Sequence, residues 1–319
     1  MRLAHASDLH ALSLENTGIL PFFGKRLAGM VNLHLHRKEK HPREILDALF
    51  EDLDAQKLDE IAITGDLTNL ALESEFRLAR RLLDQLELGS RHVTVVPGNH
   101  DVYTLDALLR RPFHQHLHPY ATSDSGDDSF PFVRVRDPIA LIGLSTARPS
   151  PVPFASGSLG KRQLARLEER LEELGRRGLF RIVLLHHPPV NNRHSVLRGL
   201  RDRSGFAGVL ARVGAELVLH GHEHRDLDDR LDGPNGPIPV SGVGSATYAD
   251  PRADRRARYH IYDLQPSLHA PARIVTRTVR AYDPATGRFA ELYCPPVSND
   301  QPSAPQTTFL PSLAGHKIT

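Results

Sequence analysis

The stretch LVLHGHEHRD at residues 217–226 ends an apolar run in three histidines at alternate positions, His220, His222 and His224. Imidazole nitrogens bind transition metals and exchange protons near neutral pH, so such a cluster suits either chemistry. The chain contains 19 histidines, however, and a motif this short also arises by chance. Its meaning therefore depends on which other polar residues the fold brings to the same place.

Four other predicted strands also end in residues of this kind. The clusters, in chain order, are SDLH with Asp8 and His10, TGD with Asp66, PGNHD with Asn99, His100 and Asp101, and LLHHPP with His186 and His187. In an open α/β sheet the binding crevice lies outside the carboxyl ends of the strands. We therefore expect all five clusters to line one pocket.

These strands alternate with segments of helical periodicity. Residues 41–56, for example, carry apolar side chains at helical spacing, and residues 58–66 form an apolar run that ends in Gly-Asp. Such alternation predicts an α/β fold with helices covering the faces of a sheet. From residue 238 onward the chain has strand-like pieces, including a predicted hairpin at about 271–294, which indicates a second sheet packed against the first.

The composition limits the class of protein. The net charge of +2 over 319 residues does not favour a nucleic-acid ligand. Cys294 is the only cysteine, so a metal would be held by His, Asp, Glu or Asn. No apolar run approaches the roughly 18 residues that span a bilayer. Polar residues interrupt MRLAHASDLH before a secretory signal could form, so we expect a cytoplasmic protein.

The ordered set Asp-x-His, Gly-Asp, Gly-Asn-His-Asp, His and Gly-His-x-His resembles the calcineurin-like metallophosphoesterase superfamily over about residues 1–265. The His-His-Pro-Pro form is similar to that of bacterial class III cyclic-nucleotide phosphodiesterases. Together with the strand pattern, the resemblance implies a four-layer αββα sandwich of two packed mixed sheets flanked by helices. We expect this domain to cover residues 1–294, followed by a Pro/Ser-rich tail at 295–319.

The resemblance also implies two metal ions. The first would be bound by Asp8, His10 and His224, the second by Asn99, His186 and His222, and Asp66 would bridge the two. Oxygen and imidazole ligands without sulfur suit divalent or trivalent Mn, Fe or Zn. A bridging carboxylate would hold two ions roughly 3.5–4 Å apart, and a water between them would lose its proton and attack phosphorus in line.

Residues beside the implied ligands are given other roles. His100 would face the substrate, stabilise phosphoryl charge and protonate the leaving group. Asp101 would accept a hydrogen bond from His100 and favour its charged form; alternatively, it is a turn or helix-capping residue. His187 and His220 are expected to neighbour ligands without binding metal. Other histidines are expected at the surface, among them His34, His36, His41, His114, His116 and His118.

Two cationic segments leave predicted strands at the ligand end and are expected to rim the pocket. Residues 20–43 are basic and partly apolar, and residues 191–205 carry Arg193, His194 and Arg198, which we assign to substrate binding. The alternative for these side chains is an ordinary solvated loop. The character of residues 20–43 also leaves open contact with a membrane surface.

These features predict a dinuclear metal-dependent phosphohydrolase that acts on a small phosphate ester. A phosphodiesterase, with 3′,5′-cyclic nucleotides as the first candidate substrates, is the leading hypothesis. A phospholipid-headgroup phosphodiesterase, a broad phosphomonoesterase and a DNA nuclease are enzymatic alternatives. A non-catalytic scaffold on the same fold is the alternative from another class, but such proteins typically lack the histidine of Gly-Asn-His, which is His100 here. The oligomeric state stays open.

Overall fold

The computed structural model describes residues 1–13, 15, 40–102, 104–150, 154–190, 195–265 and 273–292. The strands within these ranges are, in chain order, β1 (Arg2–Ala6), β2 (Glu60–Ile63), β3 (Val93–Val95), β4 (Phe132–Arg136), β5 (Ile139–Gly143), β6 (Phe180–Leu184), β7 (Leu217–His220), β8 (Leu227–Leu231), β9 (Ile238–Gly242), β10 (Arg258–Gln265), β11 (Arg273–Asp283) and β12 (Arg288–Leu292). The helices are α1 (Arg43–Ala55), α2 (Glu73–Gln85), α3 (Leu105–Arg110), α4 (Pro112–Leu117), α5 (Lys161–Arg176), α6 (Ser195–Arg198) and α7 (Arg203–Val213). The predicted tail at 295–319 and residues 20–39 lie outside the described residues.

The strands form two six-stranded sheets, and both are mixed, as predicted. In the first sheet the order is β12-β11-β10-β1-β2-β3, and only β1, β2 and β3 run parallel to one another as neighbours. In the second the order is β4-β5-β6-β7-β9-β8, with four parallel strands between two antiparallel edge strands. The predicted hairpin is confirmed, since β11 pairs antiparallel with β12.

Side-chain alternation along the strands explains why the layers stack. In β5, Leu141 belongs to the large core that also contains the strands of the first sheet, together with Leu49 of α1 and Phe76 of α2. Ile142 points to the other face and joins a second core with α5 and α7, represented by Leu171 and Phe206. The sheets therefore pack on each other and the helices cover them, which confirms the predicted four-layer sandwich.

Helix α1 shows how the crossovers form. Its buried residues are Ile45, Leu46, Leu49, Phe50 and Leu53, whose spacing of three or four places one apolar stripe against the sheet. Pro42 precedes the helix with an extended backbone. Helices α1 and α2 return the chain so that β1, β2 and β3 run parallel, and their carboxyl ends meet at one edge. None of the described helices is long and apolar enough to cross a bilayer.

Candidate metal centre

The five polar clusters meet in one pocket between the carboxyl edges of the two sheets. Asp8 follows β1 and Asp66 follows β2 in the first sheet, whereas His186 and His222 follow β6 and β7 in the second. All four residues are at most 2% exposed. The backbone N–H of His222 donates a hydrogen bond to Oδ2 of Asp8 at 2.9 Å, so this pocket also joins the two sheets.

Asp8, His10 and His224 form a first group of converging acceptors. Oδ1 of Asp8 lies 3.1 Å from Nε2 of His224 and 3.9 Å from Nε2 of His10. The two imidazole nitrogens are 3.3 Å apart. Within the described part of the chain, no donor is aligned for a hydrogen bond to Oδ1 of Asp8, which is buried. These separations suit three ligands of one ion with bonds of about 2.0–2.2 Å.

Asn99, His186 and His222 form a second group. Nε2 of His186 lies 3.2 Å from Oδ1 of Asn99 and 3.1 Å from Nδ1 of His222. Asp66 lies between the two groups, because its Oδ2 is 3.4 Å from Nε2 of His186 and 4.0 Å from Nε2 of His10. The carboxylate of Asp66 therefore faces both groups at once.

Hydrogen bonds on the far side of two rings fix which nitrogen points inward. Nδ1 of His10 lies 3.3 Å from the carbonyl oxygen of Thr68, and Nδ1 of His186 lies 2.7 Å from that of Thr64. A carbonyl oxygen only accepts, so both Nδ1 atoms donate, and Nε2 of the neutral ring presents a lone pair to the pocket. Burial and the neighbouring His41 and His100 lower the pKa of His10 well below its usual range, so this ring is neutral.

Asp66 and His186 each shift the pKa of the other. Burial acts to raise the pKa of Asp66, but His186 and His100 more than offset it, and this carboxyl is ionised with a pKa well below its usual range. Burial acts to lower the pKa of His186, yet Asp66 raises it to about 9. A proton on His186 and a metal cation compete for this position, because a ligand must be deprotonated to bind metal. The ligand atoms of the two groups, which are oxygens and nitrogens without sulfur, therefore fit a metal ion.

The backbone at these positions adopts an unfavourable conformation. Among the described residues other than glycine, positive φ angles occur at seven positions, and five of these lie in the pocket, with φ between 46° and 76°: Asp8, His10, Asp66, His222 and His224. The left-handed region costs a non-glycine residue about 1–3 kcal/mol and persists only where the surroundings enforce it. Because five such residues converge on one pocket, the direction of their side chains is the feature that the fold enforces.

Two glycines permit the loops to approach closely. A Cβ atom at Gly98 would lie 2.8 Å from the carboxyl carbon of Asp66, and one at Gly221 would lie 2.6 Å from Oδ2 of Asp8. Both distances are shorter than real Cβ contacts, so a larger residue would displace a carboxylate. Gly221 thus explains the break between His220 and His222 in the sequence.

His100 lies beside the first group. Its ring centroid is 5.0 Å from that of His10, and the planes are perpendicular. Its backbone N–H donates to Oδ1 of Asp66 at 2.7 Å, and its Nδ1 donates to the carbonyl oxygen of Asn69 at 2.6 Å. Asn69 also donates through Nδ2 to the carbonyl oxygen of His10 at 2.5 Å. Asn69, three residues after Asp66, was not among the predicted site residues, yet it contacts both His100 and His10.

The sequence suggested a hydrogen bond from His100 to Asp101. Nδ1 of His100 instead donates to the carbonyl oxygen of Asn69. The Asp101 carboxylate instead accepts from the backbone N–H groups of Gly98 and Thr68, each at 2.9 Å, and from the Thr68 hydroxyl at 2.9 Å. It is fully buried. Asp101 therefore ties the loop after β3 to the loop after β2, and the alternative of a turn residue fits these contacts.

His187 and His220 lie next to the two groups and have other partners. Nδ1 of His187 is 2.7 Å from the Thr146 hydroxyl, and its Nε2 is 3.1 Å from the carbonyl oxygen of Ala155. Nδ1 of His220 lies 3.0 Å from the carbonyl oxygen of Gly221. Burial lowers the pKa of His187 to about 3 and that of His220 to about 4, so both rings are neutral.

The expected rim is described only in part. Arg193 and His194 lie outside the described residues. Arg198 is exposed, and its Nη2 lies 3.4 Å from the carbonyl oxygen of His222, so it reaches the second group.

His41 was expected at the surface, and that prediction is wrong, because its ring centroid lies 4.6 Å from that of His10. Nothing in the local sequence marks His41, which comes from the turn before α1.

We expect Asp101→Ala to lower the free energy of unfolding by at least about 2 kcal/mol, because buried N–H groups of Gly98 and Thr68 lose their acceptor. Urea denaturation measures this change. Asp47→Ala removes an exposed carboxylate that pairs with Arg43 on α1 and should change stability by less than about 0.5 kcal/mol. Equal losses in the two variants would contradict the role given to Asp101.

Curated relatives of this chain are named as phosphodiesterases. The chain is 27% identical over 210 residues to a probable cyclic nucleotide phosphodiesterase from Rhodococcus erythropolis, a match that covers 65% of this chain and 62% of that protein. It is 25% identical over 228 residues to a glycerophosphodiester phosphodiesterase from Enterobacter lignolyticus, with coverage of 70% and 71%. This chain therefore spans less than two thirds of the length of the Rhodococcus protein.

Solved structures show the same fold. A dimetal phosphatase from Danio rerio has a TM-score of 0.57 at 12% identity, covering 82% of this chain and 92% of that one. A purple acid phosphatase from yellow lupin seeds has a TM-score of 0.56 at 10% identity, covering 91% of this chain and 52% of that one. The family model for calcineurin-like phosphoesterases matches residues 1–226, which include all five strand-end clusters. The chain belongs to the calcineurin-like phosphoesterase family.

Proposed function

We propose that this protein is a dinuclear metal-dependent phosphodiesterase. One ion would be held by Asp8, His10 and His224, the other by Asn99, His186 and His222, and both by Asp66. The observation that supports this most strongly is the pair of acceptor groups that share Asp66, within 3.4 Å of His186 on one side and 4.0 Å of His10 on the other. Mn, Fe and Zn are the candidate metals for such oxygen and imidazole donors.

Two bound cations would supply an activated water and neutralise charge on the phosphoryl oxygens. The residues of the chain supply orientation. Rings whose Nδ1 atoms are fixed by backbone carbonyls, as in His10 and His186, keep the lone pairs of Nε2 aimed inward without reorganisation. The exposed guanidinium of Arg198, beside His222, offers a phosphate-binding group at the rim.

His100 is the candidate for contact with the substrate. It is 8% exposed, so it borders solvent, whereas Asp8 and His186 are fully buried. Its Nδ1 donates to Asn69, which leaves Nε2 as the atom that could carry a proton to a leaving oxygen. The same ring, when protonated, would stabilise negative charge on the phosphoryl group.

A diester substrate agrees with the names of both relatives, which act on cyclic nucleotides and on glycerophosphodiesters by those names. We propose small phosphodiesters as the substrate class, with 3′,5′-cyclic nucleotides as the first candidates. A diester presents a second substituent that a cationic rim can orient, and orientation contributes to rate only where the rim reaches the substrate. Arg198 is the described rim residue that could do so.

A phospholipid-headgroup diester is the second candidate, on one further observation. Helix α3 begins four residues after Asp101 and exposes Leu105, Leu108 and Leu109 by 69%, 46% and 81%. Leu197 on α6, next to Arg198, is 43% exposed. Apolar side chains on these two short helices, which follow strands ending at the pocket, could contact acyl chains.

We expect His100→Ala to retain its metal ions and to lose about 10²–10⁴-fold in kcat, the usual contribution of a general acid or base. The loss should be larger for alkyl leaving groups, which need a proton, than for p-nitrophenolate. Steady-state kinetics on matched diesters, together with metal analysis of the same preparations, tests this. An equal loss for both leaving groups would contradict proton donation and leave charge stabilisation as the role of His100.

We expect diesters to be hydrolysed with a higher kcat/KM than monoesters of the same leaving group. The panel is cyclic AMP, bis-p-nitrophenyl phosphate, p-nitrophenyl phosphate, glycerophosphocholine and a diacyl phosphatidylcholine in micelles. Arg198→Ala should raise KM for the preferred diester, whereas Arg176→Ala, an exposed arginine paired with Glu172 on α5, should not.

The panel also separates the alternatives. Turnover of the acylated lipid above that of glycerophosphocholine would support the headgroup candidate. Turnover of linear diesters but not of cyclic AMP would exclude cyclic nucleotides as substrates and leave the phosphodiesterase proposal standing. Hydrolysis of the monoester alone, or of none of the five by metal-loaded protein, would contradict the proposed function.

A further inference from the structure

His41 is a residue of the pocket that no strand-end motif supplies. Its ring centroid lies 4.6 Å from that of His10, 6.0 Å from that of His224 and 5.4 Å from that of Tyr248. One ring nitrogen each of His10, His41 and His224 lie within 4.8 Å of one another. Two ligands of one ion, with bonds of about 2.1 Å, are separated by no more than about 4.2 Å when they are opposite. The spacing of His41 is thus close to that of a further ligand of the first group.

The hydrogen bond on the far side of the ring fixes its tautomer. Nδ1 of His41 lies 2.8 Å from the hydroxyl oxygen of Thr247, and that hydroxyl donates its single hydrogen to the carbonyl oxygen of Leu9 at 2.8 Å. The Thr247 oxygen therefore accepts, and Nδ1 of His41 carries the proton. Nε2 of the neutral ring is then an acceptor. This is the arrangement in which histidines bind metals, with the second nitrogen donating to an oxygen.

The backbone around His41 is held in place as well. The N–H of Ala249 donates to the carbonyl oxygen of Lys40 at 2.7 Å, and α1 starts at Arg43. Residues 247–249 in turn contact the loop after β1 through Thr247 and Leu9. His41 is therefore positioned by the segment that follows β9 and not by its own neighbours in sequence.

We propose that His41 binds the metal ion that Asp8, His10 and His224 hold, as a further protein ligand. This inference rests on the metal centre of the proposed function. A fifth ligand makes the two ions unequal. The first ion then has five protein side chains, counting Asp66. The second has four, which are Asp66, Asn99, His186 and His222. The first ion then has fewer positions left for water or substrate and binds more tightly.

Metal titration of the 319-residue chain tests this without an activity assay. The metal-free wild type, His41→Ala and His41→Gln are titrated with Co²⁺ by calorimetry, and the visible absorption of bound Co²⁺ is recorded. His114→Ala is the matched control, since His114 is similarly part-buried but lies near Asp128. We expect both His41 variants to bind one of two ions at least about tenfold more weakly, the lower end of what a lost supporting residue costs. The Co²⁺ spectrum should change as well, while His114→Ala behaves as the wild type.

The outcomes separate the two proposals. Wild-type affinity for both ions and an unchanged Co²⁺ spectrum in His41→Ala and His41→Gln would overturn the ligand role, and an accompanying rise in KM would make His41 a substrate contact. The Gln variant keeps the side chain near its natural size, so a loss confined to a misfolded Ala variant, detected by circular dichroism, would also overturn it. A wild type that binds fewer than two ions would instead overturn the dinuclear centre itself.

Discussion

The close approach of buried carboxylate and imidazole atoms is the constraint on which the pocket depends. Nε2 of His10 and Nε2 of His224 approach to 3.3 Å, and Oδ1 of Asp8 lies beside both. Buried acceptors normally turn toward donors or water. Here they cannot, because Thr68 holds the far side of the His10 ring and the N–H of His222 holds the other oxygen of Asp8. These contacts hold the side chains of His10 and Asp8 in place, which reduces the reorganisation that binding a cation requires.

That assembly explains features that would otherwise destabilise the protein. Residues with left-handed backbone, such as Asp66 and His222, turn their side chains into the pocket at an energetic cost. The buried hydrogen bonds of Asp101 and Asn69 hold the loops that carry them. Since His186 donates to Thr64 across the two sheets, the same contacts that orient the ligands also join the layers of the sandwich.

Much of this could be predicted from the sequence, because chemistry and strand ends coincide. Asp8 and Asp66 follow apolar runs that pair as parallel neighbours in one sheet, so the two side chains meet at one edge. His186 follows an apolar run in the other sheet, and the packing of the two sheets brings it to the same pocket. His41 could not be found this way, because it precedes a helix and depends on Thr247, some 200 residues later in the chain. The sequence left two roles open for Asp101, a partner of His100 or a turn residue, and could not show that the backbone N–H groups of Gly98 and Thr68 donate to its carboxylate. Local pattern predicts which residues reach an edge, but not which loop supplies their hydrogen bonds.

The most direct test of two cations between these acceptor groups is anomalous diffraction from crystals of the chain loaded with Mn²⁺. The account predicts two anomalous peaks, roughly 3.5–4 Å apart as in other two-metal phosphoryl sites, with the Asp66 carboxylate between them. One peak should lie among Asp8, His10 and His224, and the other among Asn99, His186 and His222. A single peak, or a pair that does not share Asp66, at Mn²⁺ concentrations that saturate binding would contradict it.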